Sequence, residues 1–196
     1  GVTGNGAGIT VTLGDALDTS TRTLTITEGA FDAANYNVTA ATLSSANSNT
    51  RTISMGSGLW TLTGTGNVWN TSTITNLTFN KSTADILLSD TSSTLRSFFG
   101  GLSFNKLTIG GATGTSVLSF SRNESFTELA SIKTVAHTIR NNTNIAITVG
   151  TWTVTGSSGN VVTLDSSVSG AQRTWDITNV TSGIDFLSVT DTKVNQ

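Results

Sequence analysis

The sequence predicts an all-β fold, a parallel β-helix (solenoid) of short strands, from three observations. Apolar residues recur with a period of two over runs of three to six residues, as in Leu107, Thr108 and Ile109 or Leu24, Thr25 and Ile26, which is the pattern of a half-buried strand. Similar units return after roughly 20 to 30 residues with Gly, Ser and Asn between them, a spacing typical of solenoids. The composition agrees. Charged residues make up 11% and Thr is abundant, and a β-branched hydroxyl residue suits the outer face of a sheet better than a helix.

The unit is clearest at Leu102 to Ser121, LSFNKLTIGGATGTSVLSFS, where Gly110 and Gly111 turn the chain between two strands and Val117 to Phe120 opens the second. Earlier copies start at Leu77 to Phe79, followed by Ile86 to Leu88, and at Leu24 to Ile26. Taken in order, Ile9 to Leu13 reads as a strand ending at Gly14 and Asp15, and Arg22 to Thr27 sets its threonines opposite Leu24 and Ile26. Ala30 to Ala34, with Phe31, is expected to be a loop. In RTISMGSGLWTLTGTG, from Arg51, the residues Ile53, Met55, Trp60 and Leu62 point inward between glycine corners. Phe98 and Phe99 are adjacent, so one ring faces outward if the segment is extended. Phe126 to Arg140 has a partly helical spacing, but its Thr, Val and Ile content favours strand. Ile145, Ile147 and Val149, then Trp152 and Val154, Val162 and Leu164, Trp175 and Ile177, and Leu187 and Val189 complete the series.

A β-sandwich is the alternative architecture. Its hairpins favour Asn-Gly and Asp-Gly turns, and the sole Asn-Gly pair is Asn5 and Gly6. The 196 residues are therefore expected to form one elongated segment, 1–196, with 1–20 as a capping or linking stretch. Gly1 in place of Met, and Gln196 directly after strand-like residues, are expected of a piece of a longer chain.

A net charge of −2 supplies no basic footprint for nucleic acid, and no apolar run is long enough to cross a bilayer as a helix. Without cysteine, disulfides and thiolate metal sites are excluded, and without proline so are Pro-rich hinges. His137, the only histidine, has no evident metal or nucleophile partners and is expected at the polar edge of a strand. Asp85, Asp90, Glu124, Glu128, Asp165, Asp176, Asp185 and Asp191 are the acids that coil stacking could pair for glycoside hydrolysis; their contexts are those of solvated corner residues. No catalytic, cofactor-binding or metal residue is therefore assigned. The Asp spacing of calcium-binding β-rolls is missing. Sequons occur at Asn37, Asn70, Asn76, Asn80, Asn123, Asn141 and Asn179, frequent by chance in such a composition. Thr-x-Thr runs at Thr21 to Thr27, Thr61 to Thr65 and Thr151 to Thr155 evoke ice-binding solenoids, but they lie too far apart to stack in register.

Four stretches carry a family resemblance: LTIGGATGTS (Leu107 to Ser116), TVAHTI (Thr134 to Ile139), TWTVTGSSGNVVTL (Thr151 to Leu164) and FLSVTD (Phe186 to Asp191). They resemble Thr- and Gly-rich parallel β-helix repeats of tailed-bacteriophage structural proteins and of secreted bacterial surface proteins, over Gly100 to Asp191. The resemblance implies a non-enzymatic fibre, spike or other virion surface element, or an extracellular counterpart. Its implied partners are identical subunits, a trimer by analogy with phage fibres, together with other virion proteins and a host-surface glycan. A polysaccharide-degrading enzyme and a carbohydrate-binding adhesin are the alternatives, and Trp60, Trp152 and Trp175 are expected in the core rather than on a sugar-binding surface.

Overall fold

The computed structural model describes residues 3–4, 8–111, 113–142, 144–181 and 183–195; the Asn5 and Gly6 pair lies outside them. Every named strand pairing is parallel, and the coils stack as a β-solenoid of about eight turns. Parallel pairing throughout replaces the sandwich alternative, since sandwiches are built from antiparallel strands.

Three faces run along the stack. The first contains the opening part of Val38–Ser44, whose closing part lies on the second, then Leu59–Leu62, Asp85–Leu88 and the later parts of Ser103–Ile109, Glu124–Ser131 and Ile147–Thr153. The second contains Gly66–Asn70, Arg96–Phe99, Val117–Phe120, His137–Asn141, Val162–Ser166 and Leu187–Val189. The third starts as a separate four-stranded sheet, Thr10–Thr12, Gly29–Asp32, Arg51–Ser54 and Leu77–Asn80. It continues in the opening residues of the long strands, where Phe79 meets Phe104 edge-on at 5.3 Å.

Because side chains alternate along each strand, in-register stacking converts the period of two into apolar columns. Val38, Trp60, Ile86, Leu107, Leu129 and Trp152 form one column on the first face, while Phe104, Phe126, Val149 and Ile177 form another on the third. A chain of ring contacts crosses between faces from Phe31 through Trp60, Trp69, Phe98 and Phe120 to Trp175 and Trp152. Buried aromatics contribute both large area and edge-to-face attraction, so this spine adds to the cohesion between coils.

Leu107 and Ile109 are buried and Thr108 points outward, and Phe98 is buried while Phe99 is half-buried outside. Phe126 to Arg140 contains two strands joined by a corner, with no helix. Ala30 to Ala34 departs from expectation. Gly29–Asp32 is a strand, because Phe31 stacks between Val11 and Ile53 and its ring reaches Trp60. The three Leu-Thr-aromatic or Leu-Thr-Ile units also occupy three different faces: Leu77 the third, Leu107 the first and Leu24 the second. Leu187 packs partly against the core, whereas Val189, on the last coil, is exposed.

At Gly111, φ is +79° and a Cβ would collide with the carbonyl oxygen of Asp90 on the coil below. Only glycine fits both the left-handed backbone and that approach.

Candidate functional site

Polar side chains that enter the interior collect at two corners. The corner between the first and second faces, residues 89–95, 110–116 and 132–136, holds a cationic stack. Arg96 occupies an inward position that Leu118 and Ile139 fill on the next coils, so the strand pattern forces its guanidinium into the core. It donates to the Asp90 carboxylate and carbonyl at 2.6 Å each, and to Ser116. Burial alone would raise the Asp90 carboxyl, but hydrogen bonds from Ser92 and Arg96 and the Arg96 charge outweigh it and hold it below the usual carboxylate range. Two coils on, Lys133 is buried and donates to the carbonyls of Gly111 and Thr113 at 3.0 and 3.2 Å. Desolvation lowers its pKa, and the nearby Arg96 charge adds to that.

His137 lies in this corner, 4% exposed. That corrects the expected polar strand edge. Val162 stacks on it from the next coil, so the ladder turns the ring inward, and its polar atoms are matched locally. Nδ1 donates to the Val135 carbonyl at 2.9 Å, which leaves Nε2 to accept the Ser131 hydroxyl at 3.0 Å. Burial depresses its pKa, with Lys133 and Arg96 contributing repulsion. A serine bonded to an oriented neutral histidine is the start of a nucleophile-base pair. The surface depressions described below lie at other corners.

The corner between the second and third faces is different. Arg51 is buried without a carboxylate and instead donates to the Ser45 hydroxyl at 2.7 Å and to the carbonyls of Ser45, Asn49, Thr73 and Thr75. Higher in the same corner Glu124 is 3% exposed, a second correction to the solvated-corner expectation. It starts a strand at a position filled by Ile147 on the next coil, and the register turns it inward. Its Oε1 accepts the Gly100 N–H at 2.8 Å, but Oε2 has no partner among the described residues. Desolvation pushes this carboxyl well above the ordinary glutamate value, against the pull of the Gly100, Gly101 and Arg122 amides and the Arg122 charge. Asn141 Oδ1 and Trp175 Nε1, also buried, lack partners among the described residues as well.

Outside this corner the surface is notched. Corners 100–102 and 121–123 are three residues each, shorter than 71–76 below and 142–146 above, so the chain recedes between two overhangs. The recess comprises two adjoining depressions of about 360 and 440 Å³ that share Gly101 and Asn123. Ile74 and Ile145 form the overhanging edges of the first, with Arg122 and Asn144 between them. The second is walled by the outward hydroxyls of Ser103, Ser125 and Thr148.

The remaining acids are dispersed. Asp165 receives two hydrogen bonds from Arg140, at 2.9 and 2.6 Å. Asp85 and Glu128 share a column but Lys106 stands between them, paired with Glu128 at 2.9 Å, while Asn105 binds Asp85 at 2.7 Å. Asp176 bonds Asn195, Asp185 uses its carbonyl toward Gly156, and Asp191 accepts the Gly170 amide. Sequon residues mostly act as corner brackets: Asn37 and Asn123 accept amides of the next coil, Asn76 donates to Ser48, and Asn141 is fully buried. The Thr runs do not align, since Thr61 stacks on Thr39 and Leu87, and Thr153 on Ala130. Among the described residues no group of three or more His, Cys, Asp or Glu could hold a metal ion. Trp60, Trp152 and Trp175 are buried, as is Trp69, whose central place in the aromatic spine no local pattern in the sequence marks.

Comparison with known protein families, with curated proteins and with solved structures finds no match to this chain.

Proposed function

We propose that this chain is a structural and interaction element, a β-helical segment of a fibre, spike or related surface part, with a phage virion as its setting. The observation that carries the reading is the unbroken stack. Parallel ladders and the aromatic spine join the coils into one core, and the buried ionic and polar groups serve as corner brackets between coils. Such a stack resists bending because moving one coil breaks both its ladder hydrogen bonds and its columns. The virion setting and a trimeric arrangement rest on the resemblance of the Gly100 to Asp191 stretch alone.

Electron microscopy of the larger assembly that contains this chain tests the reading. The expected image is a thin rod projecting from a particle or cell surface, labelled by an antibody against this chain. Finding the chain only as a free, unassembled protein would overturn it. The enzymatic alternative is supported by one feature, the buried and protonation-prone Glu124 beside a recess, but a glycosidase needs a second carboxyl about 5 to 9.5 Å away. None of the depression-lining residues other than Glu124 is acidic.

A further inference from the structure

We infer that the recess around Arg122 and Asn123 is a binding site for a carboxylate-bearing sugar unit of a surface polysaccharide. The inference deepens the reading of the chain as a surface interaction element and rests on it. The first ground is shape. Two three-residue corners set back between longer ones make a recess whose combined depressions are the size of a small sugar segment rather than of a flat protein contact.

The second ground is Arg122. Its side chain crosses the outside of Gly101, where its Nε lies 3.4 Å from the position a Cβ would take. Gly101 has φ of +65°, a backbone glycine adopts without strain, and the arginine stem lies at van der Waals range over it. Among the described residues no hydrogen bond or ion pair engages its guanidinium, as also for Arg22 and Arg173, whereas Arg51, Arg96 and Arg140 each donate to side-chain oxygens. Its five donors are in a planar fork that matches a carboxylate with two parallel bonds. The nearest acid, Glu124, is buried under the corner with its Oε1 bound by the Gly100 amide, so it does not form that pair.

The third ground is the rest of the lining. Ser103, Ser125 and Thr148 present hydroxyls on successive coils, at the ~4.8 Å repeat of the stack, and Asn123 and Asn144 add amides. Ile74, Ile145 and Ala146 supply small apolar patches between them. Sugar rings have the same mixture, with apolar C–H faces rimmed by hydroxyls. A peptide strand would instead need free backbone donors and acceptors, and here those are already used in the ladders.

The test is calorimetric titration of the folded chain, at low ionic strength, with four probes: hexuronic acid oligomers, the same oligomers with their carboxyls reduced to alcohols, sodium sulfate and a glutamate-rich peptide. The expected result is saturable binding of the uronic acid oligomer and none of the reduced one. Arg122→Gln and Ser125→Asp should each weaken it at least tenfold, and Arg122→Lys should weaken it less, with melting curves that superimpose on the wild type. Binding unchanged in Arg122→Gln or Ser125→Asp would overturn the site. Equal binding of sulfate or of the peptide would overturn the sugar assignment, because it would mean a general anion site. Rod formation in the same variants, followed by microscopy, separates this failure from failure of the structural reading.

Discussion

The two polar corners of the solenoid solve the same problem in opposite ways. Between the first and second faces, Arg96, Lys133 and His137 are buried, and Asp90, backbone carbonyls and serine hydroxyls surround them. Between the second and third faces above Arg51, a buried acid and neutral side chains gather, and Glu124 Oε2, Asn141 Oδ1 and Trp175 Nε1 have no partner among the described residues, against Arg96 Nε in the first corner. The contrast separates a corner held by charge-assisted bonds from one with more unpaired polar atoms. In the first corner, coils are bracketed by charge-assisted bonds that few substitutions could replace. In the second, the chain is short, recessed and incompletely paired, which is where a ligand or ordered water finds unused valences.

The apolar columns set the scale for breaking either corner. Ile109→Asp places a charge in a column flanked by Leu88 and Ser131, and it should cost about 4 kcal/mol or more, enough to abolish folding. Thr108→Asp, one residue away on the outside, should cost about 1 kcal/mol or less. Denaturant titration checks both, and equal tolerance would mean that the columns are not the main source of stability.

Next in size is the cationic corner. Arg96→Met keeps the volume but leaves Asp90 half-buried without its guanidinium, and the expected loss is about 3 kcal/mol, read from the same titration. A smaller effect distinguishes the two corners by sign. His137 has a depressed pKa, so the unfolded chain binds its proton first, and the stability from this group is lost as pH falls below the ordinary value of 6.5. Glu124 has a raised pKa, so the fold retains the proton, and stability falls as pH rises above the ordinary value of 4.5. Glu124→Gln should therefore stabilise the protein at neutral pH, by an amount that shrinks toward pH 4. His137→Gln should destabilise it most at pH 8 and progressively less toward pH 5. Melting temperatures across that range measure both slopes, and slopes of the same sign would refute the contrast. Smallest of all, Lys106→Gln breaks a partly exposed pair with Glu128 and should cost under about 1 kcal/mol, a difference that salt reduces.

How much of this is legible in the sequence depends on how local each feature is. Strand identity and inward direction are local, so Leu107, Ile109, Trp60 and Trp152 are placed by alternation alone. Which face a unit occupies is not local. Leu24, Leu77 and Leu107 read alike but lie on different faces, because the corner lengths between them vary. Phe31 does not read as a strand residue for a related reason: a four-residue strand shows too little alternation, and its pairing with Arg51–Ser54 supplies the rest. His137 and Glu124 are expected in water because their residue types are usually exposed. Their positions do carry a signal, since each stands two residues before a buried apolar residue, Ile139 and Phe126, and so shares its face. The recess is invisible in the sequence, as it arises from the relative lengths of four corners stacked from distant parts of the chain.

Whether this stack holds and presents a surface or cuts a substrate is tested most directly by the viscosity of an acidic polysaccharide solution incubated with the purified protein. A presenting surface predicts that viscosity stays constant over hours while saturable binding is measured in the same sample. A progressive fall in viscosity, abolished by Glu124→Gln in a protein that melts no lower than the wild type, would contradict it.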